Sequence, residues 1–363
     1  MRSVGVEEEL LLVDRASGEP RALSSAVLAA AARKEDEDLF EAELHREQLE
    51  FATRPREAMA DLARDITRWR AAAADHAERL GATAAALATS PLPVSPTISS
   101  GTRHQWLADH FGLTTQEQLT CGCHVHVYVE SDEEGVAVLN RIRPWLSVLV
   151  ALSANSPFWQ GKDSGYSSYR SRVWGRWPSA GPVELFEDAA AYHDQVGAMV
   201  ATGVVRDPGM VYFDARLSAA HPTVEVRVAD VCLEPSTTVL LAVLVRGLVE
   251  TAARQWRAGV PPAAHPVALL RLAAWRAGRS GLDDQLVSPA QMRPVPAESA
   301  VEALFAHVRP ALEDTGDLAE ARDRLDRLLR DGNGARVQRE VHRRTGSLRE
   351  VVAECVRRTH GGA

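Results

Sequence analysis

Val4-Gly5-Val6-Glu7-Glu8-Glu9-Leu10-Leu11-Leu12-Val13 carries two unlike faces if the chain runs extended. Neighbouring residues of a strand point to opposite sides. Val4, Val6, Leu10 and Leu12 then share one side with Glu8, while Gly5, Glu7 and Glu9 share the other. The same division recurs downstream. In residues 39–44, Phe40, Ala42 and Leu44 oppose Glu41 and Glu43; after a turn expected at His45-Arg46, Leu49 and Phe51 oppose Gln48 and Glu50. In residues 122–130 the cysteine and valines oppose His124, His126 and Tyr128, and in residues 223–228 the valines oppose Thr223, Glu225 and Arg227. Residues 210–217 read as a further strand.

Long segments of helical pattern lie between these strands, at residues 55–87, 133–154, 188–202 and 235–258. Their order is not a regular βαβ alternation, so the expected class is α+β, with a largely antiparallel, curved sheet and helices packed on its outer face. A Pro-rich stretch opening at Ser288 suggests a boundary between a core at residues 1–287 and a C-terminal helical region at residues 288–363, packed on the same domain. Helical spacing there covers residues 298–312, 317–330 and 347–358.

Composition narrows the function. The 363-residue chain has 41 basic and 49 acidic residues, a net charge of −8, which disfavours nucleic acid as its main ligand. Its apolar stretches, residues 145–152 and 239–245, are shorter than the roughly 18 residues that cross a bilayer, so no membrane segment is expected. No secretory signal pattern follows Met1, and four scattered cysteines do not make a disulfide framework. The expected location is the cytoplasm. Neither a P-loop nor a dinucleotide fingerprint is present.

If the strands share one sheet, its wet face gathers Glu7, Glu9, Glu43, Glu50, His124, His126, Glu225 and Arg227. Carboxylates so crowded repel one another and raise each other's pKa unless a cation neutralises them. Mg²⁺ or Mn²⁺ suits oxygen ligands, and Mg²⁺ commonly shares its shell with phosphates, which makes ATP chemistry plausible. Taken singly, each strand could instead present an ordinary solvated face. A zinc site at Cys121-Gly122-Cys123-His124-Val125-His126 is the rival metal centre, but thiols and imidazoles fall on opposite faces of that strand, so Cys121 and Cys123 are expected in the core. A second dense segment, residues 152–178, is rich in Gly, Ser, aromatics and Arg; Arg170, Arg172 and Arg176 are candidates for carboxylate or phosphate oxygens.

Four segments together resemble the carboxylate-amine ligase family known as glutamate-cysteine ligase type 2. They are Gly5-Val6-Glu7-Glu8-Glu9-Leu10-Leu11-Leu12-Val13-Asp14, Cys121-Gly122-Cys123-His124-Val125-His126-Val127, Ala151-Leu152-Ser153-Ala154-Asn155-Ser156-Pro157-Phe158-Trp159 with Ser168-Tyr169-Arg170, and Thr223-Val224-Glu225-Val226-Arg227-Val228-Ala229-Asp230. Thr89-Ser90-Pro91 departs from the family's Thr-His-Pro. The resemblance implies a glutamine-synthetase-like funnel lined by metal-binding glutamates. It implies an ATP-dependent ligase acting through an acyl phosphate, with L-glutamate (γ-carboxylate) and L-cysteine as default substrates and weak glutamate-cysteine ligase activity. Carried over, Glu7, Glu9, Glu43, Glu50, Glu225 and His124 are metal ligands; Arg227 and Arg170 face phosphate or a substrate carboxylate, with Arg172 beside them for the nucleotide. The expected partners are small amino-acid and amine substrates, with a homodimer compatible with the helical surface. Two alternatives stay open: a metal-dependent amide or phosphoester hydrolase on the same acidic face, and a non-catalytic small-molecule binder on the same fold.

Overall fold

The acidic strand of the opening segment, β1 (Val4–Asp14), is the axis of the sheet. The computed structural model describes residues 1–32 and 40–361. After β1 come α1 (Ser24–Ala31), β2 (Phe40–Ala42), β3 (Gln48–Ala52), α2 (Met59–Glu78), β4 (Ala82–Ala85), α3 (Thr102–Phe111), α4 (Leu113–Gln116) and β5 (Gly122–Tyr128). The middle of the chain forms α5 (Asp132–Ile142), α6 (Leu146–Ser153), the short hairpin β6 (Phe158–Trp159) and β7 (Lys162–Asp163), α7 (Arg170–Trp174), α8 (Ala189–Ala201), β8 (Ala215–Leu217) and β9 (Thr223–Asp230). The remainder comprises α9 (Pro235–Arg257), α10 (Val267–Ser280), the hairpin β10 (Gln285–Val287) and β11 (Pro294–Pro296), then α11 (Ala297–Thr315), α12 (Leu318–Asp331), α13 (Gly334–Thr345) and α14 (Leu348–Thr359).

Among the described residues, seven strands form one mixed-length sheet in the order β2-β3-β1-β5-β9-β8, with β4 also pairing to β1. Every pairing within it is antiparallel. The α+β class read from the strand pattern is therefore the observed one. The apolar faces went where alternation put them: Val4, Val6, Val125, Val127, Val224 and Val226 pack with α9 residues such as Leu240 and Leu244 in one core cluster. Leu10, Leu12 and Phe51 pack with Trp69, Ala73 and Ala77 of α2 in a second cluster, which also takes Val341 and Val351 from α13 and α14. Helices α11 and α12 lie against α9.

Glu8 is the exception on this apolar side, and it has a dedicated partner. Arg70 of α2, wholly buried, forks onto it with Nε–Oε2 and Nη2–Oε1 both at 2.7 Å. The same guanidinium donates to the carbonyls of Cys232 and Leu233, and Thr238 Oγ1 donates to Glu8 Oε1 at 2.5 Å. A buried ion pair satisfied in this way ties β1, α2 and the start of α9 together.

Several element boundaries differ from the pattern-based expectation. Residues 55–87 are not one helix: α2 stops at Glu78 and β4 then pairs with the far end of β1, Leu11↔Ala85 to Asp14↔Ala82. Its sequence, Ala82-Thr83-Ala84-Ala85, favours helix by propensity, and burial against the sheet overrides it. Residues 210–217 give only the three-residue β8: Met210 closes a 3₁₀ turn, and Phe213 bridges to Gly181 and not to the sheet. The strand expected over 39–44 is seen as β2 from Phe40, and Leu39 lies outside the described residues. Helices α1, α3, α10 and α13 were not anticipated. The helical spans expected at 133–154 and 235–258 are seen at Asp132–Ser153 and Pro235–Arg257; both are long enough to cross a membrane by length and composition, yet 83% and 78% of those windows are buried inside the protein.

Candidate active site

Sheet register brings the polar residues of separate strands face to face. Glu7 pairs with His124 across β1 and β5, and Glu9 with Glu50 across β1 and β3. His126 pairs with Glu225 across β5 and β9, and Glu225 with Arg216 across β9 and β8. Between Cys123 and Val125 the β5–β9 register shifts, an irregularity centred on His124. Such bulges re-aim a side chain without unpairing the sheet.

The result is two neighbouring groups of ligand atoms. One oxygen or nitrogen from each of Glu7, His124 and Glu225 lies within 4.8 Å of the others, and the same holds for Glu9, Glu43 and Glu50. In the first group His124 Nδ1 stands 3.1 Å from Glu7 Oε2 and 3.9 Å from Glu225 Oε1. His126 adds a contact absent from the expected ligand set, with Nε2 3.1 Å from Glu7 Oε1 and Nδ1 3.1 Å from Thr223 Oγ1. Arg216 forks onto Glu225, Nε donating to Oε2 at 2.7 Å and Nη2 to Oε1 at 3.2 Å, and Arg227 Nη1 donates to the same Oε1.

The two groups differ in charge balance. Burial opposes ionisation of Glu225, yet Arg227 and Arg216 outweigh it and hold its carboxyl at about 2. Glu7 is likewise held low, because its hydrogen bonds to His124 and His126 outweigh burial. Burial, then the Arg227 charge, push His124 down to about 4, so its imidazole is neutral near pH 7. The second group has too little positive charge. Burial first and Glu43 next raise Glu9 to about 7, against the pull of Arg170; the same two causes raise Glu50 well above its usual range.

Arg170 reaches this centre through a chain of small polar residues. Asp230, at the end of β9, accepts from the backbone N–H of Asn155 at 2.8 Å and from the hydroxyls of Ser156 at 2.7 Å and Ser168 at 2.8 Å. Ser156 Oγ in turn accepts from the N–H of Arg170 at 3.0 Å. The guanidinium lies over Gly122, where a Cβ would meet its Nη2 at 2.2 Å, while the Gly122 N–H donates to Glu9 Oε2 at 2.6 Å. Trp174 stacks against both Arg170 and Arg227, at 5.3 and 5.8 Å to the ring centre, and Tyr212 lies 5.9 Å from Arg227.

All six expected ligands and both principal arginines therefore converge. Arg172 is set apart and lines an adjoining cavity; Arg176 turns outward to pair with Glu117 at 2.9 Å. Cys121 and Cys123 are buried in separate core clusters, as their strand faces required. Asp230 and Arg216 were missed. A serine-rich loop that needs an acceptor was the only signal for the first; the second sits on a strand too short for alternation to show.

The donor set fits a hard divalent cation: carboxylate oxygens dominate, with one neutral imidazole. Buried atoms without a hydrogen-bond partner among the described residues add to this: His124 Nε2 is free to take a cation, whereas the donors Arg170 Nε and Nη2 and Arg227 Nε call for an anion. Buried polar groups are ordinarily satisfied, so this centre has room for both a cation and an anion.

The crystal structure of a glutamate-cysteine ligase from Francisella tularensis in complex with AMP superposes with a TM-score of 0.70, covering 99% of this chain and 88% of that one, at 12% identity. That likeness establishes a shared fold. A relative from Streptomyces avermitilis named "Putative glutamate--cysteine ligase 2-1" is 65% identical over 362 residues, 99% of this chain and 100% of the relative. One from Streptomyces coelicolor, "Putative glutamate--cysteine ligase 2", is 64% identical over 360 residues, 99% of each chain. The sequence profile of glutamate-cysteine ligase family 2 runs from residue 3 to residue 354. Matched along nearly its whole length, the chain belongs to that family and is a ligase of the carboxylate-amine type, forming carbon–nitrogen bonds.

Proposed function

We propose that this ligase consumes ATP with Mg²⁺ or Mn²⁺ to activate the γ-carboxylate of L-glutamate as an acyl phosphate, which the amine of L-cysteine attacks to give an amide. One observation carries the reading: two cation-sized groups of ligand atoms stand side by side on one sheet face, with the buried arginines Arg170 and Arg227 beside them.

Glu7, His124 and Glu225 would hold one divalent cation, and Glu9, Glu43 and Glu50 a second. Bound there, the cations would supply charge neutralisation for phosphate oxygens and for the crowded carboxylates. The chain's own residues do the rest. Arg227 is fixed by Glu225 and by the Trp174 and Tyr212 rings, so its remaining N–H groups present a preset positive edge to a transferring phosphoryl group. Arg170, held over Gly122, presents a second. Such positioning and electrostatic stabilisation are what in-line phosphoryl transfer demands of a protein. The N–H of Gly122 and the neutral imidazole of His124 keep Glu9 and Glu7 oriented without adding charge.

The test is ADP release in the presence of Mg²⁺, ATP, L-glutamate and L-cysteine, with mass spectrometry of the product. ADP formation dependent on both amino acids, and a product of the mass of their amide, is the expected result. ADP release without any amide across a panel of carboxylates and amines would overturn it.

A further inference from the structure

Helix α13 belongs to the C-terminal part of the chain, yet its first turns press on the segment that leads to Arg170. Asn333, the N-cap of α13, donates from Nδ2 to the carbonyl of Ala151 at 2.9 Å, and the N–H of Ala335 donates to the carbonyl of Ala154 at 2.9 Å. Two carbonyls at the end of α6 are thereby satisfied by the start of α13.

One residue further on, Asn155 is bonded at every polar group. Its N–H donates to Asp230 Oδ2 at 2.8 Å, and its Nδ2 to the carbonyls of Ala86 and Val231 at 2.9 and 2.8 Å. Its own O and Oδ1 both accept from Gln338 Nε2, at 3.0 and 2.7 Å. Gly334 lies so near that a Cβ there would stand 2.0 Å from Asn155 Oδ1. Gln338, Asn155, Asp230, Ser156, Ser168 and Arg170 are all buried, none more than 1% exposed. A buried polar network that is fully satisfied permits one geometry and excludes its neighbours.

What this geometry fixes is the root of Arg170. The Asp230 carboxylate that takes the Asn155 N–H also takes the hydroxyls of Ser156 and Ser168, and Ser156 Oγ accepts from the Arg170 N–H at 3.0 Å. At the far end of the side chain, Nε and Nη2 have no hydrogen-bond partner among the described residues. With those donors unengaged, the guanidinium takes its place from its backbone and from Gly122 and Trp174 packed around it.

We infer that Gln338 and Gly334 of α13 are positioning residues for Arg170, acting through Asn155 and Asp230, although α13 lines neither the acid centre nor the adjoining cavity. The catalytic consequence rests on the ligase reading of that centre; the positioning itself does not.

Gln338→Met removes the donor at nearly constant length, and Gly334→Ala pushes on Asn155 while keeping every hydrogen-bonding group. Each is expected to lower kcat/KM by about tenfold or more, but by less than about twofold when Arg170 has already been changed to lysine. A loss through unfolding would be the same in both backgrounds. Arg343→Ala, an exposed change on the same helix, is expected to alter neither value. The buried Arg170 Nε–H, slow to exchange, gives a ¹⁵N–¹H NMR signal identified by its disappearance in Arg170→Lys. It should move in both α13 variants and stay in place in Arg343→Ala. That signal needs no turnover, so a chain that ligates no substrate pair would overturn the ligase reading while the spectrum still decides the positioning. Equal losses in the two backgrounds, an unmoved signal in a folded variant, or failure of both variants to fold would overturn the inference.

Discussion

Gly122 is where one absent methyl group decides the position of a charge. A Cβ there would lie 2.2 Å from Arg170 Nη2, so Gly122→Ala must displace the guanidinium from Glu9. The expected outcome is a fall in kcat/KM of about a hundredfold, with a stability loss of roughly 1–3 kcal/mol from overpacking; steady-state kinetics beside a thermal melt measure the two separately. Glu50 gives the opposite pairing of effects. Its ionisation is opposed by burial and by Glu43, so Glu50→Gln should leave the metal-free melting temperature equal or higher while abolishing the shift produced by Mg²⁺. A lower metal-free temperature would contradict the account of like-charge crowding. At this scale the sequence was unusually readable, because alternation on five short strands sorted Glu7, Glu9, Glu43, Glu50, His124 and Glu225 onto one face before any pairing was known. Asp230 was not readable: it acts on residues far away in the chain, and nothing local distinguishes it.

Among the elements, β1 carries the most, being the strand to which β3, β4 and β5 all pair. Its apolar side is anchored by Arg70 on α2, which is wholly buried and bonded to Glu8. Arg70→Ala would leave Glu8 buried without its partner, and should cost about 3–5 kcal/mol. Because Arg70 lies on the far side of the sheet from the acid centre, KM values of the surviving folded fraction should not change; denaturant unfolding and kinetics on the same preparation check both halves. The long strand and the valine-rich strands were legible through their period of two. β4 was not, since a run of alanine and threonine has no polar face to alternate with. Nor were α10, whose exposed Leu269, Leu272 and Trp275 put apolar residues on its outer face as well, and α13, whose buried side offers only Val337 and Val341 as large apolar residues.

For the molecule as a whole, the acid centre makes stability depend on pH and on divalent cations together. Glu9 rises from an ordinary 4.5 to about 7 on folding, so between those values the folded state holds more protons than the unfolded chain. Stability from this group is then lost as pH rises through about 7. Glu50 and Asp214 act in the same direction. His124, held at about 4 against an ordinary 6.5, acts in the opposite direction only below 6.5. The metal-free protein should therefore melt at progressively lower temperature as pH rises from 6.5 through about 7, and the increment given by Mg²⁺ should grow over the same range. Melting curves with and without chelator measure it; an increment that shrinks with rising pH would contradict the assignment.

Trp174, whose ring is in contact with the guanidiniums of both Arg170 and Arg227, lines the cavity of the acid centre and the cavity adjoining it. An indole so placed is an optical sensor built into the catalytic floor, its emission set by two cations that any anionic ligand must engage. Filling either cavity should change its fluorescence, so the order in which ligands arrive can be followed in real time without attaching a dye.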